Sequence, residues 1–489
     1  MKSQIAFGCV ATTLWVLILV LGRFEPAGIA MAAPAEELHE PPGLRIIYVD
    51  DDADGDGSSW MNAQRHLQDA LAVARTLCEP IEIRVAQGVY RPDRGIGQVA
   101  GDCDATFALI DAVVLLGGYA GVLAVDPDLR DLRRHESILS GDLLGNDAPA
   151  GRPRGTESWR NRSDNSCHVV TGVGIGATTI LDGFTITGGT NAAIVDRGRL
   201  RACGPGMYLD AGSPTLKNCW FEDNRTLSGD GGALFCFSSS RPSVIGCTFV
   251  RNSAGFGGAI GCVADSDATI ANCLFSNNLG SWGGAVCSQR SGPQVSNCIF
   301  TGNLALRGGG ALCFWDEDYG SITNCTFQGN DSQWQGGAIW SARSLASLPN
   351  RATNCILWGN SPEEILTADL GLLVSHCCVK GGWPGQGNLD GDPVFANPGH
   401  WAYSPDSVDD ADPRDPNAVW LEGDYHLRSR AGRWDRDSQG WVRDDITSPC
   451  VDAGDPNTPV ADEPLPNGGR INMGAYGGTS EASKSGFDE

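Results

Sequence analysis

Five copies of Gly-Gly-Ala, at 231–233, 257–259, 283–285, 309–311 and 336–338, are each followed seven to ten residues on by charged side chains. Successive copies offer Arg241, then Asp265 and Asp267, then Arg290, then Asp316, Glu317 and Asp318, then Arg343. If the copies stack at the ~4.8 Å spacing of neighbouring β-strands, these alternating charges come within contact range. Arg290 could then act as a base, with Asp265, Asp267 and Asp316 as acid or cation ligands. Glycoside hydrolysis would need two or three such carboxylates grouped on one face. The plainer reading is a ladder of exposed ion pairs, each worth ~0–1 kcal/mol.

A second column lies just before Gly-Gly-Ala and holds Phe256, Trp282, Arg307 and Trp334. Turned outward, Phe256, Trp282 and Trp334 would form a strip for stacking on sugar rings; turned inward, they are core. A third candidate is the acidic loop 50–57, where Asp50, Asp52, Asp54 and Asp56 resemble the opening of a calcium loop. The twelfth position from Asp50 is Met61, where an EF-hand needs a bidentate Glu, so only a looser calcium site is left open. No nucleophile elbow, phosphate-binding loop or His-Glu-x-x-His occurs, and the seven histidines are scattered. The chemistry requires no cofactor, with calcium the one candidate.

The elements that must position these residues follow from the repeat. Gly-Gly-Ala returns every 26 or 27 residues, and Cys-x-Phe-x-x-Asn keeps step with it at 219–224, 247–252, 273–278, 298–303 and 325–330, with a weaker copy at 355–360. A fixed period of this length means a solenoid. A leucine-rich repeat would need a Leu ladder, which is absent. The short β-prone runs between Gly, Asn, Ser and Pro predict an all-β fold, a right-handed parallel β-helix of about three strands per coil. Phe should stack inward as a column, and Asn should sit at a left-handed turn and bond along the stack. Gly-Gly should permit φ > 0 and close backbone approach, with Ala in a narrow corner.

Ten cysteines fall in two apparent columns, 219/247/273/298/325/355 and 236/262/287/313. At fixed places in a stacked repeat they act first as small buried hydrophobes, and none shows the Cys/His grouping of a zinc site.

Residues 1–32 read as a cleaved signal peptide: Lys2, an apolar run from Ile5 to Leu21, then small residues to Ala32. Residues 33–80 should hold a strand, Ile46–Val49, and a capping helix with apolar positions Trp60, Ala63, Leu67, Ala70, Leu71, Ala74 and Leu77. The β-helix is placed at 81–399, regular over about 181–360. A loop-rich segment, 400–489, should close the far end. Net charge is −24, and past the signal only Lys217, Lys380 and Lys484 remain. Nucleic acid is thereby excluded as a partner, and polyanions need a bridging cation.

The phrases Gly-Gly-Ala-Ile (257–260, 336–339) and Phe-x-x-Asn (249–252, 275–278, 300–303, 327–330) resemble the repeats of the chlamydial polymorphic outer membrane protein family. The whole chain looks like bacterial proteins with a pectin-lyase-like right-handed β-helix. The resemblance implies a secreted or surface-exposed protein, with a periplasmic one as alternative. Its implied role is adhesion, by binding a cell-surface glycan or another surface protein. The many ~10-residue alternating segments of that family's terminal β-barrel are missing here. Similar β-helix proteins also include polysaccharide lyases and glycoside hydrolases, and that alternative would rest on Arg290 and its neighbouring carboxylates.

Overall fold

From Arg45 the chain winds as a solenoid of short parallel strands. The computed structural model describes residues 43–148, 161–191, 202–342, 349–368, 371–403, 410–415 and 417–486. The expected signal peptide and Arg343 lie outside them. No helix among the described residues is long and apolar enough to cross a membrane, which says nothing of strands that do so.

One regular coil shows the path. Thr215–Lys217 lies in sheet I, Trp220–Glu222 in sheet II, Arg225–Thr226 in sheet III and Leu234–Phe237 in sheet IV. Each strand pairs in parallel with its counterpart in the next coil. The regular coils thus carry four strands rather than three. The extra one, sheet III, is the six-stranded stack from Thr190–Asn191 to Asp331–Ser332, and it exists only along the regular repeat.

The recurring residues supply the reasons. Phe221, Phe249, Phe275, Phe300 and Phe327 are fully buried and stack face to face at 4.7–5.0 Å. Each such pair adds ~0.5–1.5 kcal/mol to the area it buries. Beside them Asn224, Asn252, Asn278, Asn303, Asn330 and Asn360 form a buried amide ladder. Each Nδ2 donates to the next Oδ1 at 2.8–3.1 Å and to the Phe carbonyl, or its equivalent, of the coil before. Glu364 ends the ladder, accepting from Asn360 Nδ2 at 2.6 Å and from the amides of Gly359 and Asn360. Burial pushes its carboxyl up to about 7.

The left-handed turn expected of these asparagines belongs to the residue before each of them. Asp223, Arg251, Asn277, Gly302, Gly329 and Gly359 have φ of +54° to +76°. A ladder Asn must aim its amide along the stack, and its predecessor absorbs the bend. A separate asparagine column, Asn218, Asn272, Asn297, Asn324 and Asn354, takes φ of +49° to +56° at the corner between sheets I and II. In Gly-Gly-Ala the first glycine does adopt positive φ, as at Gly283 (+63°). The second has no room for a Cβ: one on Gly258 would strike the Gly284 carbonyl.

At the N-terminal end the expected single helix is divided. Trp60–Asn62 is a 3-10 turn, and the α-helix runs Leu67–Ala74. Between them Gln64 bridges to Val49, its N–H bonding the Tyr48 carbonyl, so this stretch guards the edge of Arg45–Val49 instead of coiling. Leu67, Ala70, Leu71 and Ala74 pack on the core beside Ile47, Val49 and Ile83.

The far end is covered by residues 380–391, where Leu389 pairs with Cys378 and Trp383 packs on the core. The tail does something other than close the end: it lies along the side, on the outer face of sheet II. Asn297 Nδ2 donates to the Ala475 and Gly477 carbonyls at 2.9 and 2.8 Å, and Asn324 Nδ2 to Asn472 O at 3.0 Å. Glu422 accepts from Ser276 and Thr301, Trp401 Nε1 donates to Gly329 O at 2.9 Å, and the Trp420 indole rests on Gly302 and Gly329.

Candidate functional site

Sheet II is open above the tail, and its outer face forms the floor of a groove of about 700 Å³. In the strand Trp220–Glu222, Phe221 faces the core, so alternation turns Trp220 outward. The register sets Thr185 on one side of Trp220 and Thr248 on the other. Between two short side chains the indole stands clear, 44 % exposed. Its Nε1 donates to Glu222 Oε2 at 3.3 Å, and Arg251 holds Glu222 and Asp223 at 2.9 Å each. The ring is therefore held in place while its face is free.

Residues 130–136 build the wall. Arg130 reaches the Gly117 carbonyl at 2.8 Å and Asp182 Oδ1 at 2.9 Å, and Leu132 fits against Gly118 and Gly183, where a Cβ would displace it. The Asp131 carboxylate accepts from the amides of Arg133 and Arg134. This fixes the turn that presents Arg133 and Glu136, both exposed, over the groove. An aromatic face, two carboxylates and one guanidinium are a set suited to a polyhydroxylated ring.

The charged column does not converge. Asp265, Arg290 and Asp316 follow one another along the corner between sheets IV and I: Asp265 N bonds Arg290 O and Arg290 N bonds Asp316 O, both at 2.8 Å. Their side chains are exposed, and among the described residues they share no ion pair. Asp267 turns the other way and is taken up by Arg241 at 3.2 Å, the Gly292 amide at 2.8 Å and the Tyr319 hydroxyl at 2.9 Å. Burial and that bond push the Tyr319 phenol up to about 12. Asp318 is buried, its carboxyl raised to about 7, and it receives the Ser291 amide.

The aromatic column separates as well. Phe256 and Trp282 join Trp315 and Trp340 in a cluster over sheet IV, with Trp282 and Trp315 edge to face at 4.4 Å. Trp334 is elsewhere, 67 % exposed, with the Arg307 guanidinium 5.9 Å from its ring centre. An added residue between the ladder Asn and Gly-Gly-Ala in the last two copies shifts the register after Gly280 and pairs Gly308, not Arg307, with Trp282. The second cysteine column is likewise two. Cys236 and Cys262 stand opposite each other and face the core, whereas Cys287 pairs with Gly261 and lies with Cys313 among the tryptophans. A small hollow of about 210 Å³ opens where Gly261 lacks a side chain, next to Phe256 and Trp315.

In the acidic loop the structure groups Asp50, Asp51 and Asp52, with carboxylate oxygens within 4.8 Å of one another. Asp50 is buried and accepts from the amides of Asp52 and Val122; burial raises the Asp51 carboxyl. Asp54 and Asp56 are exposed outside that group, and Asp56 caps the Ser58 amide. A further grouping, Cys103, Asp104 and Cys167, also lies within 4.8 Å, from sequence positions too far apart to suggest it.

Trp220 escaped the sequence reading because it sits inside the repeat phrase. A signal was present: the place between Cys and Phe holds Trp220 once, and Thr248, Leu274, Ile299 and Thr326 in the other regular copies.

Residues 258–387 match a family described as the right handed beta helix region, and residues 396–454 match one described as disaggregatase related. With the four parallel stacks, the first match makes the fold a right-handed parallel β-helix. No curated protein matches the chain. Among solved structures, pectate lyase Pel9A is 12% identical, with 88% of this chain and 95% of that one covered and a TM-score of 0.45. Pectin methylesterase from carrot is 12% identical over 73% and 85%, with a TM-score of 0.34. XylC in complex with xylose is 11% identical over 83% and 98%, with a TM-score of 0.28.

Proposed function

We propose that this chain is a secreted or cell-surface β-helix protein that binds a glycan without cleaving it, in the groove over sheet II. The observation that carries the reading is Trp220: an outward indole, 44 % exposed, held by Glu222 and lying between two threonines in a walled groove. Stacking of a sugar ring on its face would leave Glu136, Arg133 and Asn218 at the rim to bond hydroxyls. The resemblance of the repeats to chlamydial surface proteins supports the adhesive side of this role.

The residues favour binding over catalysis. Glu222 is already engaged by Arg251 and the indole N–H, and Asp267 by three donors, so neither is free to shuttle a proton. Probing a panel of neutral and acidic polysaccharides tests both halves of the statement. Retention of a glycan with no rise in reducing ends or unsaturated products, with or without Ca²⁺, is the expected result. Release of either product would overturn the non-catalytic reading, and failure to retain any glycan would overturn the binding one.

A further inference from the structure

Cys378, Cys450 and the column from Cys219 to Cys377 carry free thiols. The ladder thiols from Cys219 to Cys377 lie in the main core, each Sγ directed at backbone carbonyls, as Cys273 Sγ is at Ala271 O (3.2 Å). Neighbours in that column hold the same place in successive coils, at the corner between sheets I and II. Cys378 differs. Cys377 faces the core, and alternation along the strand Cys378–Val379 turns Cys378 outward, beneath the tail. There it meets Cys450, which descends from the tail into the same apolar cluster with Phe395, Tyr425 and Met473. Cys378 Sγ also has the Gly391 carbonyl at 3.0 Å, and the Cys450 amide is fixed by Ser448 Oγ at 3.1 Å.

We propose that Cys378 and Cys450 are a disulfide-forming pair that locks the tail to the last coil. The oxidant is a small-molecule disulfide such as oxidised glutathione. One thiolate attacks it, releasing a thiol and leaving a mixed disulfide; the second thiol then displaces the remaining half. Two S–H bonds are lost, one S–S bond forms in the protein, and the two electrons and two protons leave with two glutathione thiols. The step requires two thiols brought together, and Cys378 on the last coil and Cys450 on the tail share one apolar cluster. The inference is independent of glycan binding.

The test is peptide mapping of the full chain after equilibration across ratios of reduced to oxidised glutathione and alkylation in the folded state. The expected product is about 2 Da lighter than the reduced chain. Trypsin should yield a link between 352–380 and 444–470, broken by reductant, with fragmentation placing it at Cys378 and not at Cys355 or Cys377. The variant Cys450→Ser should lose the link and leave Cys378 open to alkylation. Should Ser at this buried place unfold the tail, the wild-type map still decides the matter. Free thiols at both residues under every ratio, or glutathione retained on one of them, would overturn the proposal.

Discussion

On the outer face of sheet II the register brings Thr185, Trp220 and Thr248 to an open groove, while Leu274, Ile299 and Thr326, in the coils that follow, lie along the stretch occupied by the tail. The strands are parallel and short, with Phe inward in all but the first, where Ile186 takes its place. What differs is the neighbouring corner. In the covered half it carries Gly302 and Gly329, on which the Trp420 indole rests, and Ser276 and Thr301, which bond Glu422. In the open half the same places carry Glu222, Asp223 and Arg251, a charge network that would be costly to bury under protein. A repeat thus builds similar floors, and the residues at one corner decide which is roofed and which stays open.

The strongest way to break this contrast is to remove the roof. Trp420→Ala should cost ~3–5 kcal/mol and expose the tail to limited proteolysis, leaving sheets I to IV intact by circular dichroism. If the tail resists protease as before, Trp420 is not its anchor.

The support under both halves is tested by pH. Burial holds Glu364 at about 7, against its ordinary 4.5, so between those values the folded chain binds more protons than the unfolded one. Stability should therefore fall as pH rises from about 5 to 7, with a Glu364 share of up to about 3 kcal/mol. Glu364→Gln should flatten that slope in urea titrations, while Asp318 and Glu463, raised in the same direction, keep the remainder. An unchanged slope would contradict the assignment.

A smaller change, Gly329→Ala, puts a Cβ into the Trp420 ring at a φ of +62°. It should cost ~1–3 kcal/mol in chemical denaturation. Equal stability would mean that the indole has room to shift. Smallest of all, Trp220→Ala should alter stability by less than about 0.5 kcal/mol, because the ring is exposed and its bond to Glu222 lies at the surface. A large loss would make Trp220 a structural residue and end its role as a platform.

How much of this was legible in the sequence follows the same division. Phe221 to Phe327 and the ladder asparagines recur at one place in every copy, and periodicity alone gives such residues an inward role. Local spacing is less forgiving. Cys287 stands one residue closer to Gly-Gly-Ala than Cys262, and Trp334 follows an added residue; a slip of one reverses the face of a strand. The tail has no period, and its resting place on Gly302 and Gly329 depends on Trp420, which lies 118 and 91 residues further along the chain. In the charged column Asp265 is exposed while Asp267 is held by Arg241, Gly292 and Tyr319, a difference that spacing alone does not carry.

The central claim is that the open groove binds a glycan by stacking on Trp220. Titration calorimetry of the wild type and Trp220→Ala with one polysaccharide retained in the panel tests it most directly. At least about a tenfold loss of affinity, or 1.4 kcal/mol, with an unchanged denaturation midpoint is expected. Equal affinity in the two proteins would contradict the account.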